Sequence, residues 1–185
     1  MAFTKAFIIL ILVVLLSRET TTFQNVTAAN SNSSSPNEEA NALLQGKGWG
    51  RSDINISNRC IWDGIKCNEA GSITKISWEP FYSSFPGYRT YWGETYLSDI
   101  NFTAFPNLVH LNLSGVELEG SIPAQIGTLK KLTLLDLSNN SLFGALPRTL
   151  ANLSQLTTLD VSDNHIRGGI PAHIGTLEKL THLHL

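Results

Sequence analysis

From Phe105 onward the chain repeats itself every 24 residues. The units read FPNLVHLNLSGVELEGSIPAQIGT, LKKLTLLDLSNNSLFGALPRTLAN and LSQLTTLDVSDNHIRGGIPAHIGT, and a fourth is cut short as LEKLTHLHL. Leu108, Leu132, Leu156 and Leu180 share one column. Leu111, Leu135, Leu159 and Leu183 share a second, and Leu113, Leu137, Val161 and Leu185 a third. Gly120, Gly144 and Gly168 align, as do Pro123, Pro147 and Pro171. No part of such a unit can bury its apolar side alone, so the units must stack.

A period of this length with an LxxLxLxxN core is the sequence form of a leucine-rich solenoid. Each unit is expected to supply one short strand and a returning turn or short helix, giving an α/β solenoid, a superhelix of 24-residue repeats. Stacked strands point the three columns inward to make one continuous core, with stability roughly a sum over neighbours. The glycine before each Ile-Pro or Leu-Pro pair lets the backbone turn, and the proline removes a ladder donor and fixes φ. Asn140 and Asn164 fall at the turn after the strand, where an inward amide can satisfy backbone groups left unpaired. The first unit has Val116 there, which predicts an irregular first turn that belongs partly to an N-terminal cap.

The other end of the chain speaks for export. After Lys5, residues 6–16 read AFIILILVVLL, long enough for a signal-peptide core and short of the roughly 20 residues that span a bilayer. Thr27 and Ala29 fit the small-x-small rule, so residues 1–29 are read as a signal peptide and 30–35 as a polar linker. A buried helix is the weaker reading, because the run has no polar face and stands at the extreme N-terminus. Cys60 and Cys67 are the two cysteines; in an oxidising compartment they favour one disulfide over a metal site, which would need four ligands. Glycosylation sequons begin at Asn25, Asn32, Asn55, Asn101, Asn112, Asn139 and Asn152, and Asn25 would leave with the leader. A net charge of -2 without charge runs argues against nucleic acid and anionic membrane surfaces as partners.

A solenoid exposes its core at both ends, and residues 36–77 supply the N-terminal cap. Ser35-Pro36-Asn37-Glu38 reads as a capping box with proline at the first helical position, and the helix it starts stops at Gly46. Trp49, the segment CIWDGIKC from Cys60 to Cys67, and a strand over Ser72 to Ser77 follow. EEANALLQGKGW, CIWDGIKC and three copies of the LxLSxNxLxGxIPxxIG type together resemble the extracellular part of plant leucine-rich-repeat receptor-like kinases. In NFTAFPNLVHLNLS the wording is similar to the MDIS1-interacting receptor-like kinase group. The resemblance implies an ectodomain that recognises a peptide or protein ligand and a co-receptor, followed by one membrane helix and a cytoplasmic serine/threonine kinase. No GxGxxG loop, VAIK-like strand, HRD or DFG motif occurs here, so kinase activity does not carry over to these residues and no cofactor is called for.

Strand alternation sends the neighbours of the inward leucines to the concave face. His110, Leu134, Thr158 and His182 form one row there, Asn112, Asp136, Asp160 and His184 a second, and Ser114, Ser138 and Ser162 a third. These residues are the candidate ligand contacts; the competing reading is a solvated polar face. Asp136 and Asp160, about 5 Å apart on neighbouring strands, superficially suggest a retaining glycosidase. An open face offers no cavity to raise a carboxyl pKa or exclude water, so that reading is set aside. His110 and His182 are three strands, about 14 Å, apart, and His182 and His184 lack a third ligand, so no metal site is expected. Residues 78–96 concentrate aromatic side chains, Trp78, Phe81, Tyr82, Phe85, Tyr88, Tyr91, Trp92 and Tyr96. A loop covering apolar cap surface is favoured for them over an exposed patch that stacks on a sugar or peptide.

The repeats, assigned to residues 97–185, end in mid-strand at Leu183-His184-Leu185, which predicts a truncated chain that aggregates or unfolds readily alone. The functional expectation is noncovalent recognition by the start of a receptor-kinase ectodomain on the outer side of the plasma membrane. The rival is a small secreted repeat protein that inhibits an enzyme, similar to polygalacturonase-inhibiting proteins, or acts as a decoy.

Overall fold

The computed structural model describes residues 34–45, 56–77 and 95–185, all within the compact unit Ser34–Leu185. The proposed leader, most of the linker, Trp49, the sequons at Asn25, Asn32 and Asn55, and residues 78–94 of the aromatic segment lie outside the described residues. Among the described residues, one α-helix, α1 (Pro36–Gln45), is followed by a 3-10 turn at Ile56–Ile61. Ten strands come next: β1 (Ile65–Cys67), β2 (Ile73–Ser77), β3 (Thr95–Tyr96), β4 (His110–Asn112), β5 (Leu118–Gly120), β6 (Leu134–Asp136), β7 (Ser141–Gly144), β8 (Thr158–Asp160), β9 (His165–Ile166) and β10 (His182–His184).

The capping box forms as its residues require. The Ser35 backbone N–H donates to Glu38 Oε2 at 2.6 Å, and the Glu38 N–H donates back to Ser35 Oγ at 3.3 Å. The helix buries Ala40, Ala42 and Leu43 together with one acid, Glu39. Arg59 Nε and Nη2 donate to Glu39 Oε2 at 3.2 and 3.0 Å. Ser72 Oγ donates to Glu39 Oε1 at 2.5 Å, and the Ile73 N–H reaches both carboxylate oxygens at 3.2 and 3.1 Å. Arg59 Nη2 also donates to the Gly71 carbonyl. One buried carboxylate thus ties together the helix, the 3-10 turn and β2, and the Cys60–Cys67 disulfide holds that turn to β1.

Strands β1 and β2 form an antiparallel hairpin whose Ile65, Ile73 and Ile76 are buried. At its entry Gly64 has φ +77, and a Cβ there would lie 1.9 Å from the Ser77 carbonyl oxygen, so only glycine fits. The strand expected over Ser72 to Ser77 is β2. It then pairs in parallel with β4, and the cap and the repeats become one six-stranded sheet in the order β1-β2-β4-β6-β8-β10.

Leu108, Leu111, Leu113, Leu132, Leu135, Leu137, Leu156, Leu159 and Val161 are all buried, as the three columns predict. In the fourth unit Leu183 and Leu185 are 39% and 53% exposed, because β10 has a neighbour on one side alone. Behind the strands, 3-10 turns at Ala124–Thr128, Arg148–Asn152 and Ala172–Thr176 follow Pro123, Pro147 and Pro171 and bury Ile126, Leu150 and Ile174. A second, four-stranded sheet in the order β3-β5-β7-β9 was not expected from the repeat. It arises because the chain stays extended after the turn, with Leu118 and Leu142 inward, before Gly120, Gly144 and Gly168 turn it at positive φ.

The asparagine positions behave as a ladder of amides. Asn140 Oδ1 accepts from the Val116 and Leu118 N–H groups at 3.2 and 2.9 Å, and its Nδ2 donates to the Leu113, Leu137 and Ser138 carbonyls at 2.8, 3.0 and 2.9 Å. Asn164 repeats this, accepting from Leu142 N–H at 2.9 Å and donating to Leu137, Val161 and Ser162. Val116 is instead a buried apolar plug, and the first turn is irregular as expected. Gly115 takes the left-handed position that Asn139 and Asp163 occupy in later units, and Glu117 is forced to φ 58 as well.

Candidate functional site

Parallel pairing sets the concave rows in register. His110, Leu134, Thr158 and His182 face one another in turn, and so do Asn112, Asp136, Asp160 and His184. Each strand ends in a local clamp. Asp136 Oδ1 accepts from Ser138 N–H at 3.0 Å and Oγ at 2.7 Å; Asp160 Oδ1 accepts from Ser162 N–H at 3.0 Å and Oγ at 2.6 Å. Asn112 Oδ1 accepts from Ser114 N–H at 3.0 Å. These Asx-type bonds hold the start of each turn, and Oδ2 of both aspartates has no hydrogen bond among the described residues.

The serine row is the least accessible of the three. Ser138 is only 6% exposed, and besides Asp136 its hydroxyl meets Ser114 Oγ at 2.8 Å. It supports the row rather than presenting itself, while Ser114 and Ser162 are half-buried beside it. His110, His182 and His184 are exposed, and Leu134, Thr158, Asn112, Asp136 and Asp160 are half-buried. His182 Nδ1 lies 2.9 Å from Thr181 Oγ1, and His110 is separated from it by β6 and β8. The histidines therefore act as separate surface groups. The second sequence-stated feature, a pair of carboxylates, does come together on β6 and β8, on an open sheet.

Three further features were not among the contacts expected from the sequence. The cap contributes Lys66, Lys75 and Ser77, since Lys75 pairs with His110 and Ser77 with Asn112. The alternation in ITKIS marks β2 as a strand and leaves its partner open. A threonine row runs along the strand entrances: Thr133 Oγ1 donates to the Val109 carbonyl at 3.1 Å, Thr157 to Thr133 at 2.9 Å and Thr181 to Thr157 at 3.1 Å. The 24-residue period aligns these threonines and could have found them. On the second sheet, Phe143 stands 55% exposed, opposite His165. Of the aromatic segment, Tyr96 is described: it pairs with Glu119 and lies against Gly120, where a Cβ would come within 3.0 Å of its ring.

The family model for the leucine rich repeat matches residues 106–166 and 130–185. The fold is a plant-type leucine-rich-repeat solenoid. A leucine-rich repeat receptor-like serine/threonine-protein kinase of Arabidopsis thaliana, RGI4, is 36% identical over 76 residues, which is 41% of this chain and 6% of the kinase. The plant peptide hormone receptor RGFR1, solved in complex with RGF2, is 34% identical with a TM-score of 0.55 over 68% of this chain and 18% of the receptor. A plant ice-binding protein is 30% identical with a TM-score of 0.62 over 80% of this chain and 47% of its own. The chain therefore spans a small part of the kinase and the receptor it matches. In each solenoid of this type the concave sheet is a row-by-row platform, one set of side chains per repeat.

Proposed function

We propose that this leucine-rich-repeat chain is the extracellular, ligand-recognising start of a membrane receptor-like serine/threonine kinase in plant signalling or defence. It binds a peptide or protein ligand, with a co-receptor, along the concave rows. The observation that carries this is the set of concave side chains that the fold does not consume: His110, Thr158, His184 and the free oxygens of Asp136 and Asp160, on strands fixed by the ladder behind them. The likeness to a peptide hormone receptor solved with RGF2 supports the same reading. The sequon asparagines Asn101, Asn139 and Asn152 are exposed, whereas Asn112 lies in a concave row on β4. No helix among the described residues is long and apolar enough to cross a membrane, and on this reading the membrane span and the kinase belong to a C-terminal part of a longer protein.

A second reading is a small secreted leucine-rich-repeat protein that acts as an enzyme inhibitor or decoy; a plant ice-binding protein, 30% identical, shares this fold. Sequencing the transcript beyond the codon for Leu185 separates the two. An open frame through further repeats into an apolar span of about 20 residues and then kinase motifs is expected. A stop codon directly after Leu185 would contradict the receptor reading and leave the secreted one.

A further inference from the structure

Lys66 faces Lys75 directly across the β1–β2 pair, and Lys75 is in register with His110 on β4. Their neighbours in register, Ile65, Ile76 and Leu111, are buried, which turns Lys66, Lys75 and His110 together toward the concave side. Like charges opposed across a strand pair destabilise it. Neither lysine ammonium has an ion pair or hydrogen bond among the described residues, where the one ion pair is Arg59–Glu39. The lysines of the repeats are placed differently. Lys131 Nζ donates to Asn107 Oδ1 at 2.6 Å, Lys179 Nζ to Gln155 Oε1 at 2.5 Å, and Lys130 Nζ to the Asn152 carbonyl at 3.5 Å. They act as rungs between units, whereas Lys66 and Lys75 are held side by side with no acid in ion-pair reach among the described residues. The chain as a whole carries a net charge of -2, so this row is not a by-product of general basicity.

We propose that Lys66, Lys75 and His110 form an anion-binding row at the cap end of the concave face that takes an extended, acidic peptide segment. Three neighbouring strands span about 10 Å from the first row position to the third. Same-side residues of an extended peptide recur about every 7 Å, so two carboxylates at alternate positions, i and i+2, fit the row. The next strands bear Asp136 and Asp160, whose free oxygens repel an acidic ligand and confine it to β1, β2 and β4. The lysines act as point charges that bridge to carboxylates, and the mutual repulsion of Lys66 and Lys75 is relieved when the ligand's charge enters between them.

This inference rests on the concave sheet being the recognition surface, and it is tested on the full chain. Fluorescence anisotropy at low ionic strength would follow a labelled Ser-Glu-Ser-Glu-Ser-Gly peptide and its counterpart with Gln for Glu. The Glu peptide is expected to bind at least about tenfold tighter than the Gln peptide, and to weaken as salt is added. Lys66→Gln with Lys75→Gln should lower its affinity about tenfold without lowering the unfolding temperature, since a repulsive pair is removed. Lys130→Gln with Lys179→Gln makes the same change of net charge and should leave the affinity within about twofold. Equal losses in the two double variants, equal binding of the two peptides, or no binding of the Glu peptide would overturn the proposal. A reading frame that stops at Leu185 would remove the receptor reading and leave these titrations unchanged, so the two fail separately.

Discussion

The cap and the repeats both bury backbone N–H groups at the edge of the core, and they satisfy them by opposite means. In the cap the Ile73 N–H is met by a charged group, Glu39, from a helix 34 residues away, which is itself neutralised by Arg59. In the repeats the Val116 and Leu118 N–H groups are met by a neutral amide, Asn140, from the next unit, 24 and 22 residues on. The amide solution is repeated in Asn164, and each rung supports only its neighbours. The carboxylate occurs once and serves α1, the 3-10 turn and β2 together. Stability is therefore distributed along the repeats and concentrated in the cap, and the cap is what closes the open end of the core over Leu108 and Leu111.

If this contrast is right, substitutions should rank accordingly. Arg59→Ala leaves the Glu39 carboxylate buried and unpaired and should cost about 3–5 kcal/mol, read from urea unfolding. Asn140→Ala strands two buried N–H groups and should cost about 2–4 kcal/mol, whereas Asn164→Ala, half-buried and accepting from a single N–H, should cost roughly half as much. Equal costs for Arg59→Ala and Asn164→Ala would erase the contrast. Ser35→Ala removes one side of an exposed capping box and should cost about 1 kcal/mol by thermal unfolding. A larger loss there would mean that α1 is held by its first turn rather than by Glu39.

The periodic parts of this molecule were legible in its sequence, because each position is stated several times. The leucine columns, the inward Asn140 and Asn164, and the register that brings Asp136 beside Asp160 all follow from the 24-residue spacing. The capping box at Ser35 and Glu38 was legible because it is local. Glu39 paired with Arg59 was not, since it joins two segments that occur once and its partner lies 20 residues away with no pattern to mark it. The row from Lys66 to His110 was missed for the same reason: it depends on β2 leaving its hairpin to pair with β4. The second sheet and the burial of Ser138 depend on the path of the turn, which the spacing of leucines does not specify. Val116 announced an irregular turn, but the left-handed residue that absorbs it, Glu117, lies one position on.

The central claim is that cap and repeats share one continuous sheet, which carries the proposed recognition surface from Lys66 to His184. Its signature is the pairing of β2 with β4, including the Val109 N–H to Thr74 carbonyl bond at 2.8 Å. Amide hydrogen exchange followed by mass spectrometry measures this directly in peptides covering residues 108–113 and 132–137. The account predicts that the first segment is protected as strongly as the second, and that Arg59→Ala strips protection from the first before the second. Rapid exchange of residues 108–113 in the unmodified chain, as for an uncovered edge strand, would contradict it.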